Sequence, residues 1–336
     1  MRHKYKEGFI NYCQICNTKK IIPVLDFGFQ PLADDLLKEN NKNNLSISYP
    51  IKLYLCKSCR LVQNNFIVGD KKLYNKDYHY RPGISKTVEN NLFNLAEKLI
   101  ELYSLEKNDL IVDVGCSDGT LLNSFKKLGF QNVVGVEPTN TYKIAKKKGI
   151  FTINSFFNKK SSSQILKKFG KAKLITTTNV FAHTGELKEF ISGVNKTLSN
   201  NGIFVVENHY LKDIIEKVQF DSFYHEHLRT YSLKSLIKLL KYYKLNIIDA
   251  YTTERYNGNI QAHFSKNKSL KITKNIKLIM QKENNAKLDH LNTYVKFSNK
   301  VEKAKTDLFN YINKNSNKTI IGKSYPARAS VILNYF

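Results

Sequence analysis

The sequence predicts an α/β fold built on one seven-stranded, mainly parallel sheet, with a small cysteine-bearing domain ahead of it. Three observations carry this expectation. From Asp109 onward, short apolar runs alternate with helical periodicities, as in parallel strands covered by helices on both faces. The first of those runs enters a glycine-containing turn, Asp113-Val-Gly-Cys-Ser-Asp-Gly119, and then a helix. Upstream stand two Cys-x2-Cys pairs, Cys13-Gln-Ile-Cys16 and Cys56-Lys-Ser-Cys59, the spacing of a tetrahedral zinc site.

The 336 residues suffice for two or three domains. Hydrophobic residues are 42% and charged residues 24% of the chain, a globular profile that excludes a disordered chain, a collagen-like chain or a small disulfide scaffold. No stretch approaches the roughly 20 apolar residues of a membrane helix, so no membrane insertion is expected. No apolar run follows Met1-Arg-His-Lys-Tyr-Lys6, which argues against a secretory signal and for the cytoplasm. The formal charge is +26, yet only six of the 54 basic residues are Arg. Base readout and bidentate phosphate clamps favour Arg, whereas Lys with abundant Asn, Ile, Tyr and Phe follows AT-rich codons. Most of the Lys excess therefore reads as solvated surface, and nucleic acid is not the expected partner. The positive field still favours a polyanionic small molecule.

Taken in order, residues 1–70 form the cysteine domain, with strands expected near 24–27 and 51–55. Four thiolates complete a four-coordinate shell, so the zinc is expected to be structural. Residues 71–88 form a Tyr-rich linker carrying Tyr74, Tyr78, Tyr80 and the turn signal Arg81-Pro-Gly83. A helix over 86–103 is predicted by Val88, Leu92, Leu95 and Leu99. The sheet domain occupies 89–265. Its strands are expected at 110–114, 132–136, 151–153, 174–178, 203–207, 246–252 and 259–264, with helices at 120–128, 140–148, 161–168, 187–198 and 233–243. Seven strands whose last two form an adjacent pair are the count of a class I methyltransferase sheet. Residues 266–336 form a helical C-terminal segment. Its apolar stripe is Leu288, Leu291, Val295, Val301, Ala304, Leu308 and Ile312, and a last strand is expected at 319–322.

The glycine turn lets backbone approach a ligand closely, with Gly115, Cys116 and Gly119 as its small residues. No Gly-Lys-Ser/Thr follows, so a P-loop is excluded, and the spacing also misses G-x-G-x-x-G. Glu137 closes the next strand and can accept ribose hydroxyls. Together these features predict an S-adenosylmethionine (SAM) site, with Asp113 and Asp118 near the amino-acid end. Residues Asn154-Ser-Phe156 occupy the adenine neighbourhood. Cys116 is expected to serve steric fit in the turn.

Two further runs follow the fourth and fifth strands: Asn179-Val-Phe-Ala-His183 and Phe220-Asp-Ser-Phe-Tyr-His-Glu-His227. Tyr224, Glu226 and two His supply proton donors and acceptors near neutral pH. A chance polar surface loop and a second metal site are the alternatives. With these runs, the cysteine pairs and the glycine turn, nearly the whole chain resembles the sugar C-methyltransferases that carry an N-terminal zinc-binding domain and act on nucleotide-linked 4-keto-deoxysugars. The resemblance implies that His227 is the base, that Tyr224, Glu226 and His183 belong to the active site, and that a linker tyrosine, Tyr80 or Tyr78, joins them. It also implies Asn179 among the cofactor-binding residues and a nucleotide sugar as substrate. The chain departs from the family at Asn257-Gly-Asn-Ile-Gln261, where a Gly-Gly-Ser-type turn is usual, and its C-terminal domain reads as shortened after Gly322-Lys-Ser-Tyr-Pro-Ala-Arg328. The competing function classes are an RNA or DNA methyltransferase using the basic surface, and a SAM-binding protein without activity.

Overall fold

The computed structural model describes residues 5–34, 47–74, 78, 80–323 and 325–336. Met1–Lys4 of the amino-terminal stretch and Ser324 of the last motif lie outside the described residues. The chain forms two compact units. One comprises Met1–Leu73, His209–Ser235 and Met280–Phe336, and the other comprises Tyr74–Asn208 and Leu236–Ile279.

The second unit holds the expected sheet, in the spatial order Asn246–Thr253, Asn259–Ser265, Leu198–His209, Ala172–Thr178, Ile111–Val114, Val133–Val136, Phe151–Ile153. Ile111–Val114 lies in the interior of the sheet, parallel to both neighbours. Asn246–Thr253 and Asn259–Ser265 pair antiparallel at one edge. All seven expected strands are present, and this is the class I SAM-methyltransferase fold. Ile111–Val114 and Val133–Val136 are buried at every position, as strands covered on both faces must be. Strand order reverses between Ile111–Val114 and Ala172–Thr178, so the crevice at their carboxyl ends is where such sheets bind ligands.

The helix Lys86–Tyr103 begins at Ser85, whose hydroxyl accepts the N–H of Val88, and ends at Ser104 in the left-handed region. It buries Leu92, Leu95, Ala96 and Leu99, one face at helical spacing. That face joins Phe125, Phe130, Leu174 and Val205 in the core of the unit. Lys159–Phe169 starts on a reciprocal capping pair, Asn158 and Ser161.

The first unit is organised by a four-stranded antiparallel sheet in the order Arg229–Thr230, Val62–Asn64, Ser48–Cys56, Ile21–Pro31. Ile51, Leu53 and Leu55 alternate onto its buried face and meet Phe223, Tyr294, Phe297 and Val301 in one core. Two sequence expectations are corrected here. Residues 319–322 form no strand: among the described residues no strand pairs with them to satisfy their backbone groups, and Ile321 is exposed. The helix Leu291–Lys314 buries the expected aliphatic stripe only in part, through Val301, with Leu288 buried ahead of the helix. Its buried face is Tyr294, Phe297 and Val301, while Leu291, Val295 and Ile312 face solvent. Aromatic rings remove more apolar area from water than the aliphatics beside them, so they set the face.

Candidate functional site

Four cysteines form the metal cluster. Cys13 and Cys16 lie on one turn, closed by the N–H of Asn17 donating to the carbonyl of Cys13. Cys56 and Cys59 lie on another, closed by Arg60 donating to Cys56. All four sulfurs lie within 4.8 Å of one another, with Cys13–Cys59 at 3.3 Å and Cys16–Cys56 at 3.6 Å. Zinc bound by four thiolates at about 2.3 Å sets sulfurs roughly 3.8 Å apart, so the donor set fits the ion. Crowding alone opposes four thiolates. Hydrogen bonds from Cys13 and Cys59 hold Cys56 far below the usual thiol range, while the bond to Cys56 raises Cys13 and the bond to Cys13 raises Cys59. A divalent cation resolves that conflict, because a coordinating thiol is deprotonated. Cys116 takes no part. It is buried within the glycine turn, where a Cβ at Gly135 would come within 2.5 Å of its sulfur.

The turn after Ile111–Val114 has Gly115 at φ 75° and Gly119 at φ 76°, with Ser117 also left-handed at φ 48°. A Cβ on Gly115 would stand 2.4 Å from Val180 Cγ2, so only glycine lets the turn close against that segment. Asp113 is buried, and its Oδ1 accepts from Thr176 Oγ1 at 2.7 Å. Burial pushes its carboxyl up to about 7, against the Thr176 hydrogen bond. A cationic group beside it would favour the carboxylate. Glu137 is buried as well, and burial raises it. Its Oε2 accepts the N–H of Ser117 at 2.9 Å, and its Oε1 accepts the N–H and hydroxyl of Thr139 at 2.8 and 2.7 Å. Asn154 Nδ2 donates to the backbone carbonyls of Glu137 at 2.9 Å and Pro138 at 3.0 Å. Asp118 Oδ1 accepts the N–H and hydroxyl of Thr120, the first residue of the following helix, and its Oδ2 accepts the N–H of Gly83 at 3.1 Å.

The linker joins the same unit from Tyr74 on. Ser117 Oγ donates to the carbonyl of Tyr80 at 3.1 Å, and Tyr80 Oη is hydrogen-bonded to Tyr256 Oη. His183 is met by Tyr74, whose Oη lies 2.9 Å from its Nδ1. Tyr78 and Phe156 ring the same tyrosine with centroids at 5.5 and 6.2 Å. Tyr74 was visible in sequence only as one of three linker tyrosines. Asn179 is left-handed, at φ 55°, with its N–H on the carbonyl of Glu207 at 2.7 Å.

Glu207 is a hub that sequence reading missed. It accepts from Arg255 Nη1 at 3.2 Å, Asn259 Nδ2 at 2.9 Å and Gln261 Nε2 at 2.7 Å. Asn259 also donates to Asn179 Oδ1 at 3.1 Å. Asn179 Nδ2, Asn259 Oδ1 and Gln261 Oε1 are buried without partners among the described residues, polar capacity that suits a ligand.

Tyr224, Glu226 and His227 belong to the first unit. His227 is buried, and its Nδ1 lies 2.6 Å from the carbonyl oxygen of Ser222. A carbonyl only accepts, so Nδ1 carries the proton and Nε2 is the basic nitrogen. The rings of Tyr224 and His209 flank it, with centroids at 4.1 and 4.8 Å. Its backbone N–H donates to the carbonyl of Tyr224, closing a tight turn. Glu226 is buried in the same segment. His225 turns the other way: its Nε2 contacts the carbonyl of Tyr49 at 3.0 Å, and burial lowers it to about 4.

Among the described residues no helix is long and apolar enough to cross a membrane. Comparison with known proteins matches residues 13–74 to a zinc binding domain, 88–250 to a methyltransferase domain and 256–336 to a C-methyltransferase C-terminal domain. The C-methyltransferase NovU of Streptomyces niveus is 29% identical over 252 residues, which are 75% of this chain and 60% of that protein. Solved structures similar to part of the chain include a SAM-dependent methyltransferase from Clostridium acetobutylicum, at 17% identity and TM-score 0.43, covering 53% of this chain and 91% of the other. Another is the magnesium protoporphyrin IX methyltransferase of Synechocystis, at 13% identity and TM-score 0.40, covering 53% and 83%. The three matched regions follow one another along the chain, a methyltransferase domain between a zinc-binding domain and a C-methyltransferase C-terminal domain.

Proposed function

We propose that this protein is a C-methyltransferase that methylates the carbon beside the ketone of a nucleotide-linked 4-keto-deoxysugar, in deoxysugar or surface-polysaccharide biosynthesis. The observation that carries the reading is His227, buried, with Nδ1–H held by the Ser222 carbonyl and Nε2 left as the basic nitrogen. The C-methyltransferase relative and the matched C-terminal region support carbon as the acceptor atom. The motif resemblance supports the sugar. Free cysteines and reduced metal-ligand thiols suit the cytoplasm as its compartment.

SAM, when bound, supplies an electrophilic methyl group. Asp113, Gly115, Cys116, Asp118, Gly119, Glu137 and Asn179 are the residues read as holding it. Gly115 and Gly119 keep side chains out of its way, and Glu137 Oε2, which accepts the N–H of Ser117, keeps a second lone pair for a ribose hydroxyl. A C–H bond beside a ketone is weakly acidic. His227 Nε2 takes that proton as the ketone oxygen gathers charge, and a neutral imidazole suits the task near neutral pH. Tyr224 donates to the developing enolate oxygen, with Tyr80 and His183 as further donors. Glu226 orients a histidine or binds a sugar hydroxyl. Segments 1–70, 71–88, 89–265 and 266–336 serve metal, linker, methyl-transfer and substrate functions respectively.

Incubation with labelled SAM and a panel of 4-keto-6-deoxy nucleotide sugars is expected to give a carbon-linked methyl product by NMR. An O-methyl product, or transfer to RNA alone, would refute the reading. Replacing Glu137 with Ala is expected to weaken SAM on the order of 10-fold or more by calorimetry, the scale of a lost hydrogen bond to a charged group. Unchanged affinity would remove Glu137 from the cofactor site.

A further inference from the structure

We propose that Gln14 is a positioning residue that ties the first cysteine turn to the residues carrying His227, and so holds the base in register. The inference rests on the reading of His227 given above. Gln14 lies between Cys13 and Cys16 and is buried. Its backbone N–H donates to Gln63 Oε1 at 2.8 Å. Its Nε2 donates to the carbonyls of Asn64 at 3.3 Å and Leu228 at 3.4 Å. Its Oε1 accepts from Arg229 Nη1 at 2.6 Å. Leu228 and Arg229 are the two residues that follow His227.

The second cysteine turn reaches the same place by backbone. Val62–Asn64 begins three residues after Cys59 and pairs antiparallel with Arg229–Thr230. The N–H of Asn64 donates to the carbonyl of Leu228 at 3.1 Å. That carbonyl therefore takes one hydrogen bond from each side of the metal cluster's surroundings. Arg229 is a buried cation, costly to place in the interior unless its N–H groups are met, and the Gln14 amide oxygen meets one of them. His227 is thus fixed from two directions: upstream by Ser222 and Tyr224 in its own turn, downstream by Gln14 through Leu228 and Arg229. A cluster closed by four thiolates has no open position for chemistry, so its influence on a reaction has to pass through neighbours of this kind.

The test compares the full-length zinc-loaded protein with Gln14→Met, which keeps length without polar atoms, and Gln14→Glu, which keeps an acceptor for Arg229 only. Zinc content and SAM affinity are expected to stay at wild-type values. For Gln14→Met, kcat is expected to fall on the order of 10- to 100-fold with little change in KM, the scale of a sub-ångström to 1 Å misplacement of a reacting group. Gln14→Glu is expected to recover part of that loss. The His227 imidazole signals in 15N-edited NMR, read without substrate, are expected to shift in Gln14→Met. Wild-type kcat together with unshifted His227 signals overturns the inference and leaves the base assignment standing. Loss of zinc from both variants also overturns it, because Gln14 would then serve the metal site alone. If His227→Ala keeps full turnover, the base assignment fails, while a shifted imidazole in Gln14→Met still upholds the coupling.

Discussion

His227→Ala is expected to lower methyl transfer by at least about 100-fold, the lower end of what a positioned general base contributes. SAM affinity by calorimetry is expected to stay unchanged, because the glycine turn proposed to hold the cofactor, Gly115 to Gly119, belongs to the other unit. The distinction matters, since loss of fold would remove both properties together. The substitution also takes a ring from between Tyr224 and His209, so a modest loss of stability accompanies it. His227→Gln controls for that: it fills much of the space but offers no basic nitrogen. A wild-type rate in either variant would remove His227 from the role. Intact SAM binding with no turnover would leave it as the base.

Removing zinc is expected to have the largest effect on stability. Structural zinc contributes apparent binding energies of about 10–16 kcal/mol at neutral pH, and in small domains that energy is folding energy. Here Cys56 ends the strand Ser48–Cys56, whose Ile51, Leu53 and Leu55 form the buried face of the first unit's sheet. Cys59→Ala is therefore expected to abolish stoichiometric zinc, measured by atomic emission, and to lower the melting temperature of the protein. A strong chelator should reproduce both effects on the wild-type chain. An unchanged melting curve after verified metal loss would show that the four thiols hold the unit together without an ion.

Much of this architecture was legible in sequence because the signals are local. Strands Ile111–Val114 and Val133–Val136 are Val- and Ile-rich runs, and the cysteine turns carry their ligands with two residues between them. The glycine turn was legible for the same reason. Glu207 was not, because its partners Arg255, Asn259 and Gln261 lie some 50 residues downstream and look like ordinary polar residues of an edge hairpin. Gln14 was hidden by the motif that frames it: between two cysteines, a glutamine reads as a spacer. The strand Arg229–Thr230 is two residues long, too short for any periodicity, yet it draws the Tyr224–His227 segment into the unit with the cysteines. In the helix Leu291–Lys314, counting aliphatics found Val301 but missed Tyr294 and Phe297, the rings that share its buried face.

The first unit is assembled from three separated stretches of chain, and this bears on how the protein is made. As the ribosome releases the amino-terminal stretch, the cysteine turns can capture their ion, but Val62–Asn64 has no neighbour on its outer side until Arg229–Thr230 is synthesised. For that interval the nascent protein carries an open edge strand, the kind of surface that pairs with other chains. Chaperone cover during elongation, and the pace of translation up to residue 230, therefore bear on the yield of this protein.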